Sequence, residues 1–147
     1  MAQLETASST TAYDKDYQLW LQETVEKLRL GNYDAVDWEN LIDEIESMGK
    51  RDRHRLKSNL IILLMHLLKW DYQQEKRSGS WESTIIEHRR RIIDDLADSP
   101  SLKPYLLTIL GSAYETARKR AKAETGLSLE KFPVDCPYSI EFLLDAE

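Results

Sequence analysis

Apolar residues recur every three or four positions along most of this chain, the spacing that places them on one face of an α-helix. Tyr17, Trp20, Leu21, Val25 and Leu28 form the first such face. A helix is predicted from near Tyr13, with Thr11 and Asp14 as a capping box that satisfies its first free N–H groups. Gly31-Asn32 supplies the left-handed stop. Asp37 caps the second predicted helix, with Glu39 in its first turn and Val36 and Leu41 spaced as a hydrophobic staple. Its apolar face runs Trp38, Leu41, Ile42, Ile45 and Met48, and after Gly49 it resumes at Leu56, Leu60, Leu63, Leu64 and Leu67. One helix from Trp38 to about Trp70 would be roughly 50 Å long. A bend or break at Gly49 and an unbroken helix are both compatible with the pattern. Leu60 to Leu68 is apolar on nearly every side, which predicts the most buried helix of the fold.

A polar connection, Gln73 to Gly79, leads to a third helix, Trp81 to about Leu96, with Ser80 as its cap. Ser99-Pro100-Ser101 ends it and starts a fourth, in which Ser101 caps and Pro104 lies in the first turn, where it removes no helical hydrogen bond. The fourth helix runs to about Glu124 and presents Tyr105, Leu106, Ile109, Ala113, Ala117 and Ala121 to the core; Gly126 closes it. Gly111, Ala113 and Ala117 make a small-residue face that would let another helix approach. In the tail, Phe132-Pro133 and Cys136-Pro137 favour an extended path. A short amphipathic turn from Ser139 to Leu144 would dock Ile140, Phe142 and Leu143.

These elements predict an all-α protein, a bundle of four main helices with a short C-terminal helical element. Composition agrees: the 147 residues include 21 leucines and only three valines, with few glycines and prolines for tight turns. The length suits one domain, expected over residues 13–147 after a disordered lead-in at 1–12. The lone Cys136 excludes an intrachain disulfide framework. The first residues are not patterned as a secretory signal, and no apolar run is long enough to cross a bilayer. A cytoplasmic protein without membrane association is expected. A net charge of −6 argues against nucleic acid as the main partner.

Five segments together resemble a known family. They are Tyr13-Asp14-x-Asp16-Tyr17-x-x-Trp20, Glu44-Ile45-Glu46-x-Met48-Gly49, His66-Leu67-Leu68-Lys69-Trp70, Ser80-Trp81-x-x-x-Ile85 and Ser99-Pro100-Ser101-Leu102, followed by Phe132-Pro133-x-x-Cys136-Pro137 in the tail. Their order is similar to that of the bacterial family called Domain of Unknown Function 29 (DUF29). The resemblance spans about residues 13–144 and implies a compact α-helical fold. It implies no activity and supplies no catalytic or binding residue.

Candidate chemistry is sparse. The Glu-x-x-His spacing of di-iron bundles is missing: Glu87 and His88 are adjacent, and Ile62 and Leu63 precede His66. Glu44, Glu46, His66 and His88 are the candidates for a looser metal site, against the simpler reading of a hydrogen-bonded polar cluster. Arg90 and Lys69 are candidates for an anion pocket, against ordinary ion pairs. Lys50, Arg51, Arg53, Arg55 and Lys57, with His54 among them, form the densest basic run, preceded by the acids Asp34, Asp37, Glu39, Asp43, Glu44 and Glu46. Such a run can neutralise phosphates, but on a helix these five bases wrap around the axis, as on a solvated helix paired with acids. Arg118, Lys119, Arg120 and Lys122 form a second basic cluster. Trp70 and Tyr72 are candidates for a partner interface, against core anchoring. Cys136 has no histidine near it in sequence, and phosphate-loop, dinucleotide and nucleophile-elbow motifs are missing.

The function expected from this inventory is an interaction or structural module without catalytic activity, cofactor or bound metal. Its expected partner is protein, including a second copy of itself through an apolar strip or the small-residue face. A metal-dependent enzyme at the Glu/His residues and weak nucleic-acid binding through residues 50–57 are the alternatives.

Overall fold

Leucine on every side of a helix demands cover from every side, and residues 60–68 obtain it. The computed structural model of the chain describes residues 11–145. Among these the fold is all-α, with four long helices and no strand. The chain divides into two compact units, Met1–Gly49 and Lys50–Glu147. Helix α1 is Ala12–Lys15, α2 is Tyr17–Arg29, α3 is Trp38–Tyr72, α4 is Gly79–Asp98, α5 is Leu102–Thr125 and α6 is Ile140–Leu143. Helix α3 is unbroken at Gly49 and contributes residues to both units.

In the larger unit, Leu56, Leu63, Leu64 and Leu68 of α3 are wholly buried. They share one core with Ile85 and Ile92 of α4 and with Leu106, Ile109, Ala113, Tyr114, Ala117 and Ala121 of α5. The three alanines, four residues apart, keep the inner face of α5 small, so neighbouring elements can approach its backbone. Gly111 is not part of that face: it is exposed, and a Cβ built on it would meet nothing within 4 Å. The small-residue face is therefore spent inside the chain and is not open to another copy.

The tail closes the core through Phe132, Tyr138, Ile140 and Leu143, all buried. Phe142, expected to dock, remains about half exposed and stacks on Tyr138. The tail is made of short turns and extended residues without a long hydrogen-bonded helix, and several of its carbonyls take donors from the other helices. Arg118 donates to the carbonyls of Leu129 (3.1 Å) and Phe132 (3.0 Å). The Tyr114 hydroxyl donates to that of Pro133 (2.6 Å) and Arg89 to that of Leu143 (3.0 Å).

Helix ends follow capping chemistry with two shifts. Helix α4 starts at Gly79, not Trp81: Ser78, in an extended conformation, accepts from the Trp81 N–H. Ser101 precedes α5 but adopts helical angles and makes no side-chain cap, because its hydroxyl cannot fold back as an extended residue's does. Gly126 ends α5 with a left-handed φ of 74°.

In the smaller unit, residues 1–10 of the expected lead-in lie outside the described residues, whereas Thr11 and Ala12 belong to a helix start. Thr11 caps α1 by accepting from the Asp14 N–H. The single helix expected here is divided at Asp16, whose extended backbone ends α1 and whose carboxylate accepts from the Leu19 N–H to start α2. Trp20, Thr24, Val36 and Glu44 are buried. The stripe expected to face the core does not: Trp38 is 46%, Ile42 54%, Ile45 59% and Met48 53% exposed, and Leu41 is half-buried.

Truncating Leu64 to alanine should cost about 2–5 kcal/mol, as for any fully buried leucine. Ile45→Ala should change stability by no more than about 0.5 kcal/mol. Chemical denaturation of both variants checks this; comparable losses would contradict the burial pattern.

Candidate functional site

The exposed stripe owes its direction to a carboxylate. Tyr13 and Tyr17 lie against the Trp20 ring, with centroid distances of 4.8 and 6.2 Å. The buried group here is the Glu44 carboxylate of α3, and the two tyrosine hydroxyls are its donors. The Tyr13 hydroxyl donates to Oε2 at 2.8 Å, and the Tyr17 hydroxyl donates to Oε1. That bond to the carboxylate holds the Tyr13 pKa above its usual value. With Glu44 turned inward, Trp38, Leu41, Ile42, Ile45 and Met48 centre about 100° further round the helix. Glu39, Asp43 and Glu46 run along one flank of this stripe, and no ion pair engages them among the described residues. The segment is strongly acidic: residues 1–49 hold 11 acids and three bases, whereas residues 50–147 hold 15 acids and 17 bases.

Three of the four candidate metal ligands are otherwise engaged. Glu44 serves the two tyrosines and Glu46 is exposed on α3. His66 and His88 each direct Nδ1 at the carbonyl four residues back, Ile62 (3.0 Å) and Thr84 (2.9 Å). These contacts make Nδ1 the donor nitrogen in both rings. Burial lowers the His66 pKa, and the nearby Lys69 charge lowers it further. Among the described residues no three His, Cys, Asp or Glu side chains are grouped to hold a metal ion.

Lys69 and Arg90 do not form an anion pocket. The buried Lys69 ammonium bonds Glu124 at 2.7 Å and lies 4.7 Å from the centre of the Trp81 ring. Arg90 pairs with Glu87 and Asp94. In the second basic cluster, Arg118 is turned inward onto the tail and Lys119 pairs with Glu115. Trp70 is half-buried under the Arg77 guanidinium, 4.5 Å from its ring, and Tyr72 meets Phe132 edge-on. Both rings thus make intrachain contacts. Trp70 also lines a cleft of about 350 Å³ with Leu67, Ile85, Ile86, Arg89 and Phe142. Cys136 is half-buried with its thiol pKa raised by burial, unlike an activated nucleophile.

The basic run divides into two faces. Arg55 bonds Asp95 and Asp52. Lys50, Arg53, His54 and Lys57 instead follow i, i+3, i+4, i+7 spacing and line one shallow cleft of about 190 Å³ with Tyr105 of α5. The expectation that the bases wrap around the axis holds for the run as a whole but not for these four.

A family model described as "Domain of unknown function DUF29" matches residues 12–147. The chain belongs to the DUF29 family. No curated protein and no solved structure matches it. Among the described residues, no helix of this DUF29 chain is long and apolar enough to cross a membrane.

Two tests follow from the buried polar groups. Because the His66 pKa is lowered in the folded state, its contribution to stability is complete above the usual value of 6.5 and is lost as pH falls through the folded value. Melting temperatures between pH 7.5 and 5 should fall more steeply for the parent than for His66→Leu; parallel curves would contradict this. Lys69→Met should cost under about 1 kcal/mol, since it keeps the buried stem and removes the charge. Glu124→Ala should cost roughly 1–2 kcal/mol by stranding the ammonium, a figure discounted for the exposure of Glu124. Denaturant titration of the two variants decides it, and the reverse order would be a contradiction.

Proposed function

We propose that this DUF29 chain is a non-catalytic interaction module that binds a protein partner through the α3 stripe Trp38, Leu41, Ile42, Ile45 and Met48. One observation carries the reading: a contiguous line of large apolar side chains, four of them about half exposed, on a helix whose inward face is taken by Glu44. Isolated apolar residues on a surface are ordinary, but a helical line of them marks a contact surface. The fitting partner presents an amphipathic helix with Lys or Arg along the edge that meets Glu39, Asp43 and Glu46. The acid excess of residues 1–49 disfavours a second copy on the same face, since like charges would meet. A cytoplasmic setting belongs to the same proposal and suits the free thiol of Cys136.

A photo-crosslinking residue at position 45, irradiated in cells, should give one defined adduct with a different protein. The adduct should be lost on Trp38→Ala with Ile42→Ala, and the same probe at the exposed Glu115 should give none. No adduct from position 45 would contradict the reading. An adduct with a second copy would keep the interaction and overturn the heteromeric assignment.

A further inference from the structure

We propose that Lys50, Arg53, His54 and Lys57 of α3, with Tyr105 of α5, form a binding site for single-stranded nucleic acid. The four basic side chains share one helix face and one cleft of about 190 Å³, and Tyr105 closes that cleft from the neighbouring helix. None of the four makes an ion pair among the described residues, although Arg55, on another face of the same stretch, is bound by two aspartates. The cleft therefore offers cationic donors that are not neutralised from within the chain.

Its chemistry matches what a single strand needs. Lys50, Arg53 and Lys57 span two turns of helix, about 10 Å, and can follow consecutive phosphates. His54 adds a ring donor in the same row. The half-buried Tyr105 ring gives an exposed base a stacking surface, and stacking accepts any base. The overall charge of −6 does not oppose this site, because the acid excess resides in residues 1–49. Residues 50–147 carry 17 bases against 15 acids. A duplex buries its bases and offers Tyr105 nothing to stack on, so the single strand is the preferred form.

The test is fluorescence anisotropy of the full chain with a labelled oligothymidylate of about 12 nucleotides. Three neutralised phosphates predict a roughly 20-fold loss of affinity between about 50 and 200 mM salt. Lys50→Gln with Arg53→Gln and Lys57→Gln should abolish binding. The charge-matched set Lys119→Gln, Arg120→Gln and Lys122→Gln should stay within about 2-fold. Tyr105→Ala should weaken binding by at least about 5-fold, and Tyr105→Phe should restore it. If the triple variant misfolds by circular dichroism, the three single variants and the Tyr105 pair carry the test. The proposal is overturned by no binding at the lower salt, by equal loss in the charge-matched set, by a duplex bound as tightly as the strand with Tyr105→Ala neutral, or by complete displacement by inorganic phosphate. Binding to vesicles containing phosphatidylserine without binding to the oligonucleotide would overturn it equally.

Discussion

Residues 60–68 of α3 are leucine, isoleucine and methionine almost without interruption, and the larger unit is arranged around the need to cover them. An amphipathic helix needs cover on one side only; this segment needs it all round. Helices α4 and α5 supply two sides, and the tail, through Phe132, Ile140 and Leu143, supplies more. The tail satisfies only part of its own backbone, and side chains of the long helices supply further donors: Arg118, Tyr114 and Arg89. The second basic cluster, near residue 118, is therefore partly structural. The basic side chains with no such duty lie earlier in α3, between Lys50 and Lys57.

In the smaller unit the same logic runs in reverse. Its buried set is small, and its organising contact is polar: two tyrosine hydroxyls on one carboxylate. A buried carboxylate without partners is costly, and with Tyr13, Tyr17 and Trp20 packed together two hydroxyls give Glu44 its partners. The orientation of α3 over residues 38–48 is settled by that requirement rather than by its apolar stripe. The stripe is left uncovered as a consequence.

Local rules read much of this directly. The periodicity located all four long helices, the burial of residues 60–68, the left-handed glycine at 126 and the docking of Ile140 and Leu143. The order of the family segments was likewise legible, and the family model matches residues 12–147. What failed was partly local and partly non-local. The division at Asp16 and the shift of the α4 cap from Ser80 to Ser78 are choices between neighbouring candidates that propensity does not rank. The outward stripe is set by pairs 27 and 31 residues apart, Tyr17 and Tyr13 with Glu44. Of the candidate site, the basic face was readable: residues 50, 53, 54 and 57 have helical spacing. It was obscured by counting Arg51 and Arg55 with them, which belong to other faces of the same turns.

The central claim is that the α3 stripe is open in the isolated chain and serves contact rather than core. Hydroxyl-radical footprinting reads this directly, because Met48 and Met65 lie on the same helix with relative exposures of 53% and 6%. The account predicts that Met48 and Trp38 are oxidised many times faster than Met65 in the native protein, and that unfolding equalises the two methionines. Equal protection of Met48 and Met65 in the native chain would mean that the stripe is already covered, and would contradict the account.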